Sequence, residues 1–165
     1  MLACATRCAF AILALALTAC AAPEARSPFP PDTGAIVELD LINHAACGRL
    51  PVLSGPSWTP EPEMIWPLEA ALHDTLLVEL PRNAEEFRVA ERSPDSYYRR
   101  YAGVIAGAER RLIVICGEDR EFYDSRGMDW RTQYIPYRYG GSMSFSAYYD
   151  PETDEILNFE FGYVG

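Results

Sequence analysis

Lysine is absent from this chain; all fourteen basic residues are arginine. Together with an alanine-rich first segment, that bias reads as the mark of a GC-rich genome rather than of a mechanism. Histidine occurs only at His44 and His73, and neither stands in a recognisable pairing with a cysteine, so no activated thiol nucleophile is defined. There is no Gly-x-Ser-x-Gly for a serine nucleophile. The acidic run from Asp150 to Glu155 does not follow the order Asp-x-[Asp/Asn]-x-[Asp/Asn]-Gly of a calcium loop, and reads as a hairpin turn. No internal repeat is present. The apolar run from Cys8 to Leu17 is shorter than the roughly 20 residues a permanent membrane helix needs.

That run follows Arg7 and precedes small residues, which makes residues 1–19 a secretory signal peptide. At its end, Leu17-Thr18-Ala19-Cys20 resembles the lipobox of bacterial lipoproteins. The resemblance implies cleavage before Cys20, lipid on the Cys20 sulfur, and anchoring of the mature chain to a membrane by two acyl chains, since one gives only marginal binding. Ala21, where an Asp would retain such a protein at the inner membrane, implies the outer membrane of a Gram-negative cell. The competing reading is an ordinary secretory signal with an incidental cysteine.

Removal of the signal leaves 146 residues, enough for one hydrophobic core and one domain. Thirteen arginines then face 24 acidic residues, a net charge of −11. This charge opposes binding to nucleic acid or anionic lipid and favours a basic partner, although plain solubility is served equally well. Cys4 and Cys8 depart with the signal and Cys20 carries lipid, so Cys47 and Cys116 remain. In an oxidising compartment they are expected to form one disulfide, closing a loop of about 69 residues and contributing up to about 4 kcal/mol. His44, Cys47, Cys116 and Asp119 also form two pairs spaced by three. Zinc pairs use His or Cys where Asp119 stands, and oxidation removes both thiolates, so neither metal nor cofactor is expected.

Residues 20–34 hold four prolines and little apolar periodicity, and read as a lipid-anchored tether reaching roughly 40 Å. The domain is expected over 35–165. Ala35–Ile42 reads as a first strand with one wet face, and 43–58 as loop. Thr59 and Pro60 signal a helix start, Pro67 allows a later one, and the helix is expected to end near Pro81; Ile65, Leu68, Leu72, Leu76 and Leu80 mark one face. Strands are expected at Phe87–Ala90, Tyr97–Ile105, Arg111–Cys116, Met143–Tyr149 and Ile156–Tyr163. In the last, Leu157, Phe159, Phe161 and Tyr163 share a face opposite Asn158 and Glu160. The fold class is therefore α+β, with one main helix packed on a four- to six-stranded antiparallel sheet. In outline this element order is similar to the cystatin-like folds, a likeness of architecture that implies no activity.

One segment has the composition of a binding loop: Phe122–Gly141, with Tyr123, Arg126, Trp130, Arg131, Tyr134, Tyr137, Arg138 and Tyr139. Tyr, Trp and Arg dominate interaction hot spots because they bring contact area and hydrogen bonds at limited entropic cost. The alternative is that these aromatics cap the sheet and belong to the core. The functional expectation is an envelope lipoprotein that binds a protein or envelope component. A narrower version is an inhibitor of a basic envelope hydrolase such as lysozyme, and the enzymatic alternative is a carboxylate-dependent hydrolase.

Overall fold

A computed structural model describes residues 32–44, 55–87, 90, 92–107, 109–134 and 141–162. The expected α+β architecture is present: a long helix packed on a six-stranded sheet. In chain order the elements are β1 (Gly34–Ile36), α1 (Leu39–His44), β2 (Ser57–Trp58), α2 (Pro62–Phe87), β3 (Tyr97–Ala106), β4 (Arg110–Asp119), α3 (Arg120–Arg126), β5 (Ser144–Asp150) and β6 (Glu155–Phe161). The path across the sheet is β1-β3-β4-β5-β6, and β2 also pairs with β3. Strands β2 to β6 are antiparallel to their neighbours, whereas β1 runs parallel to β3, so the sheet is mixed. No helix among the described residues is long and apolar enough to cross a membrane.

Helix α2 opens with Pro62 as its first residue, a position where the missing N–H has no helical partner to lose. The start therefore falls just after the expected Thr59–Pro60. Ile65, Leu68, Leu72, Leu76 and Leu80 are all buried and form the seam against the sheet. The helix runs on through Pro67 and Pro81 to Phe87, past the end expected near Pro81; of the strand expected at Phe87–Ala90, Phe87 is helical and residues 88–89 lie outside the described residues. An interior proline costs about 3 kcal/mol, while each buried Leu or Ile returns about 1.5–3 kcal/mol. Five of them on one seam outweigh two prolines. Pro81 is exposed, so water can reach the carbonyl that lost its donor.

The expected strand Ala35–Ile42 is corrected: only Gly34–Ile36 pairs, and Leu39–His44 is helical. Leu39 and Ile42 lie three apart, and both are buried against Ala102, Val104, Leu112, Val114 and Tyr148. Both faces of the central strands are thus covered. One face carries Tyr97, Tyr101, Ile113, Ile115, Phe145, Ala147 and Tyr149 beneath α2; the other carries the α1 cluster and a patch under α3 formed by Tyr123 and Trp130. On the α2 face, Phe145 lies so close over Gly117 that an added Cβ would stand 2.1 Å from the ring.

The β3–β4 strands pair from Ala106 and Arg110 outward, and the expected turn after Asp150 joins β5 to β6. Asp150 accepts a backbone bond from Glu152 at 2.9 Å, the local bonding that favours aspartate at turns. In β6 the register against β5 slips by one residue between Ser146 and Tyr148, opposite Asn158 at φ 50°. This bulge puts Ile156, Phe159 and Phe161 on the α2 face and Leu157 on the other. The expected shared face of Leu157 with Phe159 and Phe161 is therefore broken at Asn158, and Tyr163 lies outside the described residues.

Candidate functional site

The segment from Phe122 to Gly141 divides into buried and surface parts. Tyr123 is fully buried and Trp130 nearly so. Arg126, Arg131 and Tyr134 are exposed, and Tyr137, Arg138 and Tyr139 lie outside the described residues. As a surface, the segment consists of α3 and the loop that follows it.

Helix α3 begins because Asp119, the last residue of β4, accepts the Phe122 N–H at 3.0 Å as its N-cap. It ends at Gly127, whose φ of 61° suits the left-handed cap that glycine adopts without penalty. The chain then turns around Asp129. The Asp129 carboxylate accepts the Arg131 N–H at 3.0 Å and the Thr132 hydroxyl at 2.8 Å, and the Asp129 N–H donates to Gln133 Oε1 at 2.9 Å. The backbone N–H of Arg131, and next the Thr132 hydroxyl, hold the Asp129 carboxyl below the ordinary aspartate range.

Beneath this loop lies a buried charged cluster. Arg100, on the face of β3 opposite α2, donates Nε–H to the Trp130 carbonyl at 2.7 Å and an Nη2 hydrogen to Tyr123 Oη at 2.9 Å. It also donates to the Gln133 carbonyl and is ion-paired with Glu118 of β4. Tyr123 Oη in turn donates to Glu118 Oε2 at 2.5 Å. Burial, and next the adjacent Glu118 carboxylate, keep the Tyr123 hydroxyl well above the usual phenol range, so it remains a donor. One guanidinium therefore binds strand β4, helix α3 and two carbonyls of the loop together. This planar fork with five donors is what lysine lacks.

Above the cluster, arginines lie over aromatic rings. The guanidinium carbon of Arg126 is 3.5 Å from the Phe122 ring centroid, that of Arg131 is 4.4 Å from Trp130, and that of Arg120 is 5.2 Å from Tyr98. Tyr98 stacks on Trp130 with centroids 4.6 Å apart and donates to Asp124 at 2.6 Å. A ring-stacked guanidinium can still hydrogen-bond in its own plane, and Arg120 and Arg126 each donate such a bond, to the Asp95 carbonyl and to the Phe122 carbonyl, both at 3.4 Å.

Beside α3 a shallow cavity of about 380 Å³ is lined by Arg92, Asp95, Asp119, Arg120, Glu121 and Asp124. Its deepest charge, Asp119, is ion-paired with Arg92. The described residues hold no cluster of three His, Cys, Asp or Glu side chains suited to a metal. Of the metal candidates, Asp119 is the α3 cap and Cys116 is buried on β4; the His44 side chain and Cys47 are not described. His73 is an exposed residue of α2 beside Asp74.

Sequence reasoning did not single out Tyr98, Arg100, Glu118 and Arg120. Arg99-Arg100 within a run of strand-forming residues carried a signal, because neighbouring positions on a strand point to opposite faces and a sheet covered on both sides must pair both charges. Arg99 is likewise ion-paired, with Glu69 of α2 at 3.4 Å.

The chain matches no protein-family model, and neither curated proteins nor solved structures show a significant match to it.

Proposed function

We propose that the protein is an envelope lipoprotein, exported by residues 1–19 and anchored through lipid on Cys20, whose domain binds a protein or other envelope component through the α3 surface. The observation that carries this reading is the set of three arginines laid over Phe122, Trp130 and Tyr98 on a loop fastened from below by Arg100. A surface that is rigid before binding loses little entropy when a partner arrives. The arginine–aromatic face is complementary to a partner that presents apolar or aromatic groups with carbonyls or carboxylates among them, while the net charge of −11 on the mature chain favours a partner that is basic overall.

The neighbouring cavity supports binding better than hydrolysis. Its acids alternate with Arg92 and Arg120, whereas a general acid needs a carboxyl whose pKa is raised towards neutrality. Asp129 and Asp150 are both displaced downward, away from the value a general acid needs.

A Cys47–Cys116 disulfide belongs to the same proposal. Its support is that Cys116 is fully buried and shares a cluster with Leu39 and Ile42 of α1, the helix that ends three residues before Cys47.

The test uses the full chain expressed in a bacterium. Mass analysis of the N-terminal peptide should find a diacylated Cys20, and Cys20→Ser should move the protein from the membrane to the soluble fraction. Wild type and an Arg126→Ala, Arg131→Ala, Tyr134→Ala variant of matched stability are then used to capture partners from detergent-solubilised envelopes. A partner held by wild type and released by the variant supports the surface. Equal capture by both refutes it.

A further inference from the structure

We propose that the flank of α2 carrying Trp66 and Leu77 rests on the surface of a zwitterionic lipid bilayer. This rests on the anchor at Cys20 and adds to it where the domain lies once anchored.

Trp66 and Leu77 are large apolar residues that α2 leaves 44% and 53% exposed. Eleven residues complete three helical turns, so the two side chains lie on one side of the helix with Ala70 and His73 between them. Their side is the flank of α2 next to Glu69, which follows Trp66 by one turn. Glu69 is ion-paired with Arg99 at 3.4 Å, and the Arg99 side chain donates to Thr33 Oγ1 at 3.3 Å. The Arg99 backbone N–H also donates to the Thr33 carbonyl at 2.7 Å. The N-terminal segment therefore enters the fold beside this flank.

Fourteen residue steps separate Cys20 from Gly34, which even fully extended span under about 50 Å. A link of that length imposes an effective concentration in the millimolar range, so a weak surface affinity is sufficient for docking. Tryptophan settles at the level of lipid headgroups, with its ring in the apolar boundary and its N–H in the polar layer. The charge of the mature chain selects the lipid: a net −11, with Glu63, Glu69 and Asp74 near the stripe, is repelled by anionic headgroups and tolerated by zwitterionic ones. Docking by α2 leaves the α3 surface accessible, because α2 and α3 cover opposite faces of the sheet.

The experiment reconstitutes the full chain, purified from membranes, into phosphatidylcholine vesicles with or without brominated acyl chains and follows tryptophan emission. Trp58 is half-buried and Trp130 buried, so brominated lipid should quench Trp66 and most of the quenching should vanish in Trp66→Phe. Leu77→Asp should reduce the quenching of Trp66 without lowering the midpoint of thermal unfolding, and hydrogen exchange over 66–77 should slow on vesicles. Mass analysis of the N-terminal peptide reports the anchor separately. An unquenched Trp66 in a chain whose Cys20 carries lipid overturns docking and leaves the anchor intact, while a chain without lipid overturns both. Protection of 66–77 in detergent, accompanied by a dimer in sedimentation, overturns the lipid surface in favour of a second copy.

Discussion

Replacing Arg100 with Met should loosen the α3 loop and destabilise the whole domain. Methionine fills the volume of the aliphatic stem but takes the Arg100 guanidinium from the Glu118 carboxylate, which is 6% exposed. Breaking one side of a buried ion pair costs about 3–5 kcal/mol. The carbonyls of Trp130 and Gln133 lose a donor as well, a loss partly offset if the loop moves to meet water. About 4 kcal/mol follows, which in a domain of this size lowers the thermal midpoint by about 10 °C. Urea unfolding of wild type, Arg100→Met, Glu118→Leu and the double variant closes a double-mutant cycle. The double variant should be more stable than Arg100→Met, because it removes the buried carboxylate that Arg100→Met leaves without the guanidinium. Hydrogen exchange should accelerate over 128–134 in Arg100→Met. A loss below about 1 kcal/mol, or additive single effects with unchanged exchange, would refute the idea that Arg100 fastens the loop.

Gly117→Ala should cost about 1–3 kcal/mol in urea unfolding, because the new methyl meets the Phe145 ring at 2.1 Å and that ring is fully enclosed. Pro81→Ala restores a helical N–H at an exposed position and should stabilise by about 1–3 kcal/mol; an unchanged urea midpoint would mean that the helix had already relaxed around the ring. Asp150 is held below the ordinary aspartate range chiefly by hydrogen bonds from Arg110 and then by the Glu152 N–H. Its stabilising contribution is therefore fully present above about pH 4 and is lost as the pH falls through the lower folded-state value. Asp150→Asn should accordingly flatten the fall of the thermal midpoint below pH 4, and an unaltered slope would show that other carboxylates govern acid unfolding.

Periodicity exposed the parts of the fold whose burial is one-sided and long. The Ile65–Leu80 seam repeats over four turns, and Met143–Tyr149 alternates cleanly; both elements are where the pattern puts them. Ala35–Ile42 misled because a short run of apolar residues fits a strand and a helix equally, and only the packing of Leu39 and Ile42 on the central strands decides between them. Pro81 suggested a stop because local propensity ignores the tertiary burial that carries a helix past it. The face switch in β6 depends on one backbone angle at Asn158, which no alternation rule contains. In the candidate site, the aromatic and arginine composition was visible but its division was not. Tyr123 and Trp130 face inward only because Arg100 and Glu118, eighteen residues apart on adjacent strands, meet beneath them.

The shared outer edge of β3 also constrains the sequence of events during synthesis. Contacts from β1 and β2 to β3 span separations of 65 and 46 residues, whereas the β3–β4 and β5–β6 hairpins close over turns of a few residues. Long separations close slowly and short ones quickly. A nascent chain that stops short of Tyr97 therefore has no strand on which β1 or β2 can settle, and α2 has no sheet to cover its leucines. More than half of the polypeptide must therefore be available before any part of the sheet can form, and the N-terminal elements depend for their native partners on strands that follow them.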